Sequence, residues 1–412
     1  MEFLYGRQTT VNIGLGRYLR MEEQRLFTRN FVLCTVISFF FTVFFFMFFT
    51  GMSSYTMDVL GADSTMAGLA ASIFIAGDLI SRLIFGGRLD ILGKKRITVG
   101  FLTVGTLLSF QYAYADSVTE ILILRFAHGL TYGAMASAVS AIVAEALPFR
   151  RRGEGMGYFT LSYSIGSAVG PFLCMYLQDS GTYTDIFNIG VAASLLALVT
   201  SLFLVDDRRE YVGRKTKRGF FEPTALPLSL VAFVFFFSYS GVLSFISPYG
   251  EAIGLHSYAV YFFVVLSAGT MICRLFLSRI FDSRGENVAL LPMFVLFIAG
   301  MAILSTVTNG WVMLAAGFMM GFNIAQLNSV GQAVLVREAP VERIAASISM
   351  FSVFIDLAYA LGPVANGQLI GDVGYRTNFL IMTGLAVVSL IMYLTLHGMR
   401  HRGQNLDEES GV

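Results

Sequence analysis

From residue 30 onward the chain alternates long apolar runs with short polar interruptions. A helix rising about 1.5 Å per residue needs roughly 18–25 apolar residues to cross a bilayer. Runs of that length lie at 30–52, 66–88, 97–115, 118–146, 154–178 and 185–205. Six more lie at 226–249, 258–281, 288–307, 310–335, 344–371 and 377–397. The pattern predicts an all-α polytopic membrane protein with twelve transmembrane helices. It divides into an N-terminal segment 1–29, a six-helix bundle 30–205, a polar linker 206–225, a second bundle 226–397 and a tail 398–412.

Composition agrees with lipid as the solvent. Only 13% of the 412 residues are charged, 56% are hydrophobic and the mean hydropathy is +0.70, against about a quarter charged in a soluble domain. Arg82, Arg125 and Arg274 fall inside spans, and Arg376 is the one basic residue in an odd-numbered loop; the remaining Lys and Arg sit at the two ends and in or beside the even-numbered loops. Basic residues are retained on the cytoplasmic side, so both termini are expected there, in a plasma (inner) membrane. The near-neutral net charge of +1 gives a nucleic-acid role no basic surface. Cys34, Cys174 and Cys273 lie within spans without metal-ligand spacing and read as inert buried thiols. No metal, cofactor, phosphate loop or nucleophile motif is read, which disfavours a membrane enzyme or sensor. About thirty mixed residues precede the first span, unlike a cleaved secretory signal. The first 20 are expected to be dispensable, with Met21 an alternative start.

One internal shift recurs. Arg82 maps to Arg274, Asp90 to Asp282, Gly93 to Gly285, Gly129 to Gly321 and Gly170-Pro171 to Gly362-Pro363, each 192 residues on. A constant offset across several segments indicates duplication of a six-span unit. Six is even, so the copies are parallel repeats about an axis along the membrane normal, with a binding site expected between them near mid-bilayer.

The loop "GGRLDILGKKR" at 86–96 resembles the signature between spans 2 and 3 of the major facilitator superfamily, matching at Gly86, Asp90, Gly93, Lys94, Lys95 and Arg96. The second copy, "SRIFDSRGENV", keeps Asp282 and Gly285 but has Ser278 for the first Gly and Glu286-Asn287 for the basic pair. Gly86 is expected to allow close helix approach, Gly93 a tight reversal, and the basic run to anchor in the headgroups. The resemblance implies that Asp90 latches the end of span 11 near Arg343–Ser347 and holds an outward-open state; a topology anchor is the plainer reading. Gly157, Gly166, Gly170 and Pro171 in span 5 resemble the antiporter motif of proton-driven exporters, with Cys174-Met175 where glycines would stand; tight packing of span 5 explains the same residues.

Ionisable groups inside spans are costly and need partners. Asp78, Arg82, Gly86 and Asp90 recur every four residues, so Arg82 pairs with Asp78, and Asp78 stands about 18 Å from Asp90. At the position equivalent to Asp78 the second half has Thr270. Asp78, Arg82, Arg125, Arg274 and Asp356 are the candidates for proton coupling: Asp78 is expected to take a proton when it parts from Arg82, with a static neutralising pair, or Asp356 as the carrier, as the alternatives. Arg125 resembles the family's span 4 arginine, but bonding to backbone carbonyls or snorkelling would also account for it. His128 reads as a packing residue. Asp356, whose first-half equivalent is Ser164, is a lone carboxylate able to carry a proton or counter a cationic substrate. Asn323, Gln326 and Asn328 are candidate cavity donors and acceptors, or interhelical bonds. The 39 phenylalanines read as packing or lipid-facing residues rather than a pocket.

These features together imply a secondary transporter that moves a small organic compound by alternating access, coupled to protons and directed outward. A nutrient or metabolite importer on the same scaffold is the alternative. A monomer in the lipid bilayer suffices for either.

Overall fold

A computed structural model describes residues 26–148, 151–205, 222–284, 286–340 and 343–398. Gly285, the linker from 206 to 221 and both chain ends lie outside the described residues, as do the side chains of Asp90, Arg274, Asp282, Asn323 and Gln326. The first half comprises α1 (Arg29–Asp58), α2 (Ser64–Phe85), α3 (Lys94–Gln111), α4 (Val118–Ala146), α5 (Arg152–Ser180) and α6 (Tyr183–Leu202). The second begins with α7 (Leu226–Ala252), α8 (His256–Arg284), α9 (Glu286–Thr306) and α10 (Gly310–Glu338). The last run, Ile344–Tyr393, breaks at Gly374, whose φ of 79° reverses the chain. Its arms are α11 (344–373) and α12 (375–393).

Ten helical segments among the described residues are long and apolar enough to cross a membrane. Counting the two arms of the last run separately and adding the Gly- and Ser-rich α5 gives the twelve spans read from the sequence. The chain is a multi-pass integral membrane protein. Polar caps fix where several helices start: Asp63 Oδ1 accepts from Met66 N at 2.7 Å, and Asn309 Oδ1 from Trp311 N at 2.9 Å. Such caps satisfy N–H groups that the first helical turn leaves without partners.

Some span ends differ from the sequence reading. The first apolar run stops at 52, yet α1 continues to Asp58, because Ser53, Ser54 and Thr56 are buried against protein rather than lipid. Thr56 returns its hydroxyl proton to Met52 O at 2.7 Å, which lets a polar residue remain in a buried helix. In the second span the α-helix ends at Phe85, and Gly86–Arg88 tightens into a 3₁₀ turn. Gly86 meets no neighbour there, so it makes no close helix approach. Gly93, with φ of 86°, does supply the predicted reversal. Lys94 Nζ lies 2.9 Å from Glu145 Oε1 at the end of α4, so this basic residue pairs within the protein and not only with lipid.

The duplication is visible in packing. A β-carbon on Gly129 of α4 would overlap Phe74 O of α2, and one on Gly321 of α10 would overlap Leu266 O of α8. Gly77 meets Phe126 O as Gly269 meets Phe318 O. Every residue in the second set lies 192 beyond its partner in the first. Glycine here removes the β-carbon that would hold two backbones apart, the usual basis of tight association in lipid.

The bundle has a basic end, carrying the Lys94–Arg96 turn, and a far end. The halves meet where α2 lies along α11, α5 along α8 and α1 beside α7. Their seam is closed towards the far end. There Ser64 Oγ donates to Gly367 O at 2.6 Å and Ser247 Oγ to Gln178 Oε1 at 2.8 Å, while Gly68 sits directly on the backbone of Pro363.

Candidate functional site

Between the halves lies a cavity of about 510 Å³, lined from α1, α2, α4 and α5 on one side and α7, α8, α10 and α11 on the other. It reaches Met156 and Gly157 near the start of α5, so it extends towards the basic end while the far seam is shut. Its lining repeats the internal offset: Thr160 and Ser352, Ser164 and Asp356, Ser167 and Tyr359, Asp78 and Thr270, Tyr132 and Ile324 are all equivalent pairs. Equivalent positions therefore face one space with different chemistry.

The centre of the cavity is ionic. Arg82 Nε donates to Asp78 Oδ1 at 2.8 Å, one turn back on α2, and Arg82 Nη1 donates to Asp356 Oδ2 at 3.2 Å on α11. The side chain of Asp78 is 5% exposed, that of Asp356 21% and that of Arg82 35%. Gly133 of α4 leaves room for Asp78, whose Oδ1 would lie 2.7 Å from a β-carbon at that position. The two carboxylates, which the sequence offered as rivals, thus share one guanidinium. An interior ion pair is held by geometry and shared hydrogen bonds, and deleting one partner leaves the other's charge uncompensated.

The bonds differ in what can break them. Asp78 and Arg82 ride on one helix, so a rigid movement of either half carries both. Arg82 and Asp356 belong to different halves, so any rocking of the halves about the cavity changes their separation.

Arg125 does not join this group. It is fully buried, donates from Nε to Ala70 O at 3.1 Å and from Nη2 to Ala71 O at 2.7 Å, and lies 4.8 Å over the Phe74 ring. It therefore does not snorkel, and of its plainer readings backbone bonding is the one present. His128, also buried, packs on Phe44 and Phe74. Asn328 lines the cavity and accepts from Gln332 Nε2 at 2.8 Å. Arg274, Asn323 and Gln326 have side chains outside the described residues. In α5, Gly166 packs on Phe39 O and Thr42 of α1 and Gly170 on Val43 O and Met47 N. Gly157 instead faces the cavity and packs on nothing, which corrects its place in a helix-packing stripe. Pro171 stands inside the helix.

Sequence reasoning missed the aromatic lining. Tyr132, Tyr163, Tyr239 and Tyr359 face the cavity with Phe45, Phe46, Phe236 and Phe263. Phe45 and Phe46 belong to the stretch 40–50, where phenylalanine is densest, and it is therefore not packing alone. Phe44, Phe48 and Phe49 of that run are fully buried, and Tyr132 stacks on Phe41 at 4.0 Å. A usable signal was present: Tyr359 follows Asp356 by three residues, and Tyr163 precedes Ser164, the equivalent of Asp356.

Two parallel helical repeats around a central polar cavity define a membrane carrier rather than an enzyme. The chain belongs to the Major Facilitator Superfamily, whose family model matches residues 34–324 and again 289–410. It is 24% identical over 387 residues to the multidrug resistance protein MdtL of Klebsiella pneumoniae subsp. pneumoniae, covering 89% of this chain and 94% of that one. It is 24% identical to the multi-drug resistance efflux pump PmrA of Streptococcus pneumoniae serotype 4 over 356 residues, 80% of this chain and 86% of that one. Among solved structures, the nucleoside transporter NupG superposes with a TM-score of 0.70 at 14% identity, covering 89% of this chain and 99% of that one. A bacterial homolog to the human lysosomal transporter Spinster does so with a TM-score of 0.72 at 15% identity, covering 88% and 95%. At such identity these likenesses establish the fold.

Proposed function

We propose that this protein exports a small organic compound in exchange for protons, by rocking its two halves about the central cavity. The observation that carries the reading is Arg82, paired within its own half to Asp78 and across the seam to Asp356. In the conformer described, the cavity extends towards the basic end and Asp356 is paired with Arg82, which it shares with Asp78. When rocking withdraws Arg82, a carboxylate remains inside the protein without its cation, and binding a proton removes that cost. Proton exchange is thereby tied to the step that alternates access. Asp78 stays with Arg82 throughout and holds it in place, so the exchangeable proton belongs to Asp356 rather than Asp78.

The excess of Lys and Arg at one end supports placing that end in the cytoplasm of a cell bounded by its plasma (inner) membrane. Export is supported by the resemblance of Gly166 and Gly170-Pro171 in α5 to the antiporter motif and by similarity to a protein named as an efflux pump, PmrA. One chain encloses the whole cavity between its two halves, so a monomer suffices.

A thermal-shift screen of the purified protein against metabolites, antibiotics and chelators supplies a ligand, which is then followed in proteoliposomes. An imposed proton gradient should drive that ligand against the proton flow, and Asp356→Asn should abolish this while keeping ligand-for-ligand exchange. Asp78→Asn should lose binding and thermal stability together. Movement of ligand with the protons would make the protein an importer, and full coupling in Asp356→Asn would overturn the assignment.

A further inference from the structure

At the far end, outside the cavity, titratable side chains of both halves meet around one imidazole. His256 opens α8, and its Nδ1 lies 3.5 Å from Glu251 Oε1 at the end of α7. Its Nε2 lies 3.7 Å from Asp179 Oδ1 at the end of α5, in the other half. These are ion-pair separations, and Nδ1 has no hydrogen-bond partner. The imidazole is 19% exposed, the two carboxylates about half exposed (47% for Glu251, 52% for Asp179), so water of the far compartment reaches the group.

The surroundings are acidic. Asp58, at the end of α1, accepts from Tyr183 Oη at 2.5 Å, and its charge acts on Glu251. Tyr375, beside the break between α11 and α12, lies in the field of both carboxylates. Arg376, the other cation of this end, is turned to Val307 O at 3.1 Å. The groups facing the junction are thus Asp58, Asp179 and Tyr183 from the first half, and Glu251 and Tyr375 from the second. Asp58, Asp179 and Glu251 bring three carboxylates to a seam that the two halves must close.

We propose that His256 is a proton-operated clasp on the far gate. As imidazolium it bridges Asp179 of one half and Glu251 of the other and favours the closed seam, alongside the Ser64 to Gly367 and Ser247 to Gln178 bonds. As neutral imidazole it bridges nothing, and like charges from the two halves repel across the gap. Closing the far end is what returns the cavity to the basic end. Acid on the far side therefore favours the state reached by the return step, independently of the proton exchanged at Asp356. The clasp rests on the alternating-access reading but on none of the residues that carry coupling.

The test is a distance measurement on the full chain in lipid nanodiscs. Spin labels go on Val59→Cys and Val373→Cys, exposed far-end positions in opposite halves; the native cysteines are buried and do not compete. Between pH 8 and pH 5 the ratio of closed to open far seam should rise about 1.5-fold to fivefold, the scale of one solvent-exposed ion pair switched on by a histidine. His256→Gln should remove that rise, and His256→Lys should keep the seam closed at both pH values. Asp356→Asn should leave the rise intact. A wild-type response retained in His256→Gln, or one removed by Asp356→Asn instead, would overturn the clasp while leaving the coupling reading standing. A clasp that behaves as stated in a protein showing no gradient-driven transport would sink the coupling reading alone.

Discussion

Replacing Gly68 by alanine adds one carbon at the far seam, where the two halves are in backbone contact. An ideal β-carbon there falls 2.6 Å from Pro363 C and 3.1 Å from Val364 N of α11, and overlaps Pro363 O outright. Carbon atoms rest about 3.5–4.0 Å apart, so α2 and α11 must separate by roughly 1 Å at this level. No side chain can yield, because every atom in the way is backbone. The soft coordinate is the seam itself, which alternating access opens in any case. Overpacking by one methyl costs about 1–3 kcal/mol when it cannot relax, and about 1.4 kcal/mol is tenfold in an equilibrium. Gly68→Ala should therefore shift the population about tenfold or more towards the conformer open at the far end. Gly129→Ala supplies the control, since its β-carbon strikes Phe74 O and lies 2.8 Å from Phe74 C, but within one half. That variant should lower the melting temperature without favouring either conformer. Labelling rates of single cysteines at the two ends, read beside thermal melts, separate these outcomes. If Gly68→Ala left the labelling unchanged, or only lost stability as Gly129→Ala should, the contact of α2 with α11 would not be what opens when access alternates.

Asp90→Asn should shift the protein towards the conformer open at the basic end, with Asp282→Asn doing less because the second loop lacks the basic pair; accessibility labelling at both ends checks it, and equal effects would reject the asymmetry. Arg125→Lys should destabilise the protein by about 1–3 kcal/mol, since a lysine cannot keep both bonds to Ala70 O and Ala71 O; a melting curve matching the parent's would refute this. The short bond from Arg343 Nε to Glu222 Oε2, 2.6 Å, holds the Glu222 carboxyl below its ordinary range. A lowered folded value means stability that is complete above the unfolded pKa of about 4.3 and lost as pH falls through the folded one. The melting temperature should therefore fall less between pH 5 and pH 3 in Glu222→Gln than in the parent, and identical slopes would show the pair contributes nothing.

The apolar runs and the 192-residue offset were enough to specify twelve spans, their division into parallel halves and the equivalence of Gly129 with Gly321, because lipid imposes a length on each helix and duplication preserves spacing. The pair Asp78 and Arg82 was legible for the same local reason: four residues along a helix is one turn. Nothing along the chain says that Asp356, 274 residues beyond Arg82, completes that pair, since this depends on how one half docks on the other. The tyrosines around the cavity were invisible because facing inward or outward is a property of the assembled bundle; a Tyr in an apolar run reads alike in either place. His256 is likewise an unremarkable residue at a helix start until folding sets carboxylates from both halves beside it. Sequence determines each helix and its repeat through local periodicity, whereas charges that act across the seam are decided only when the two halves meet.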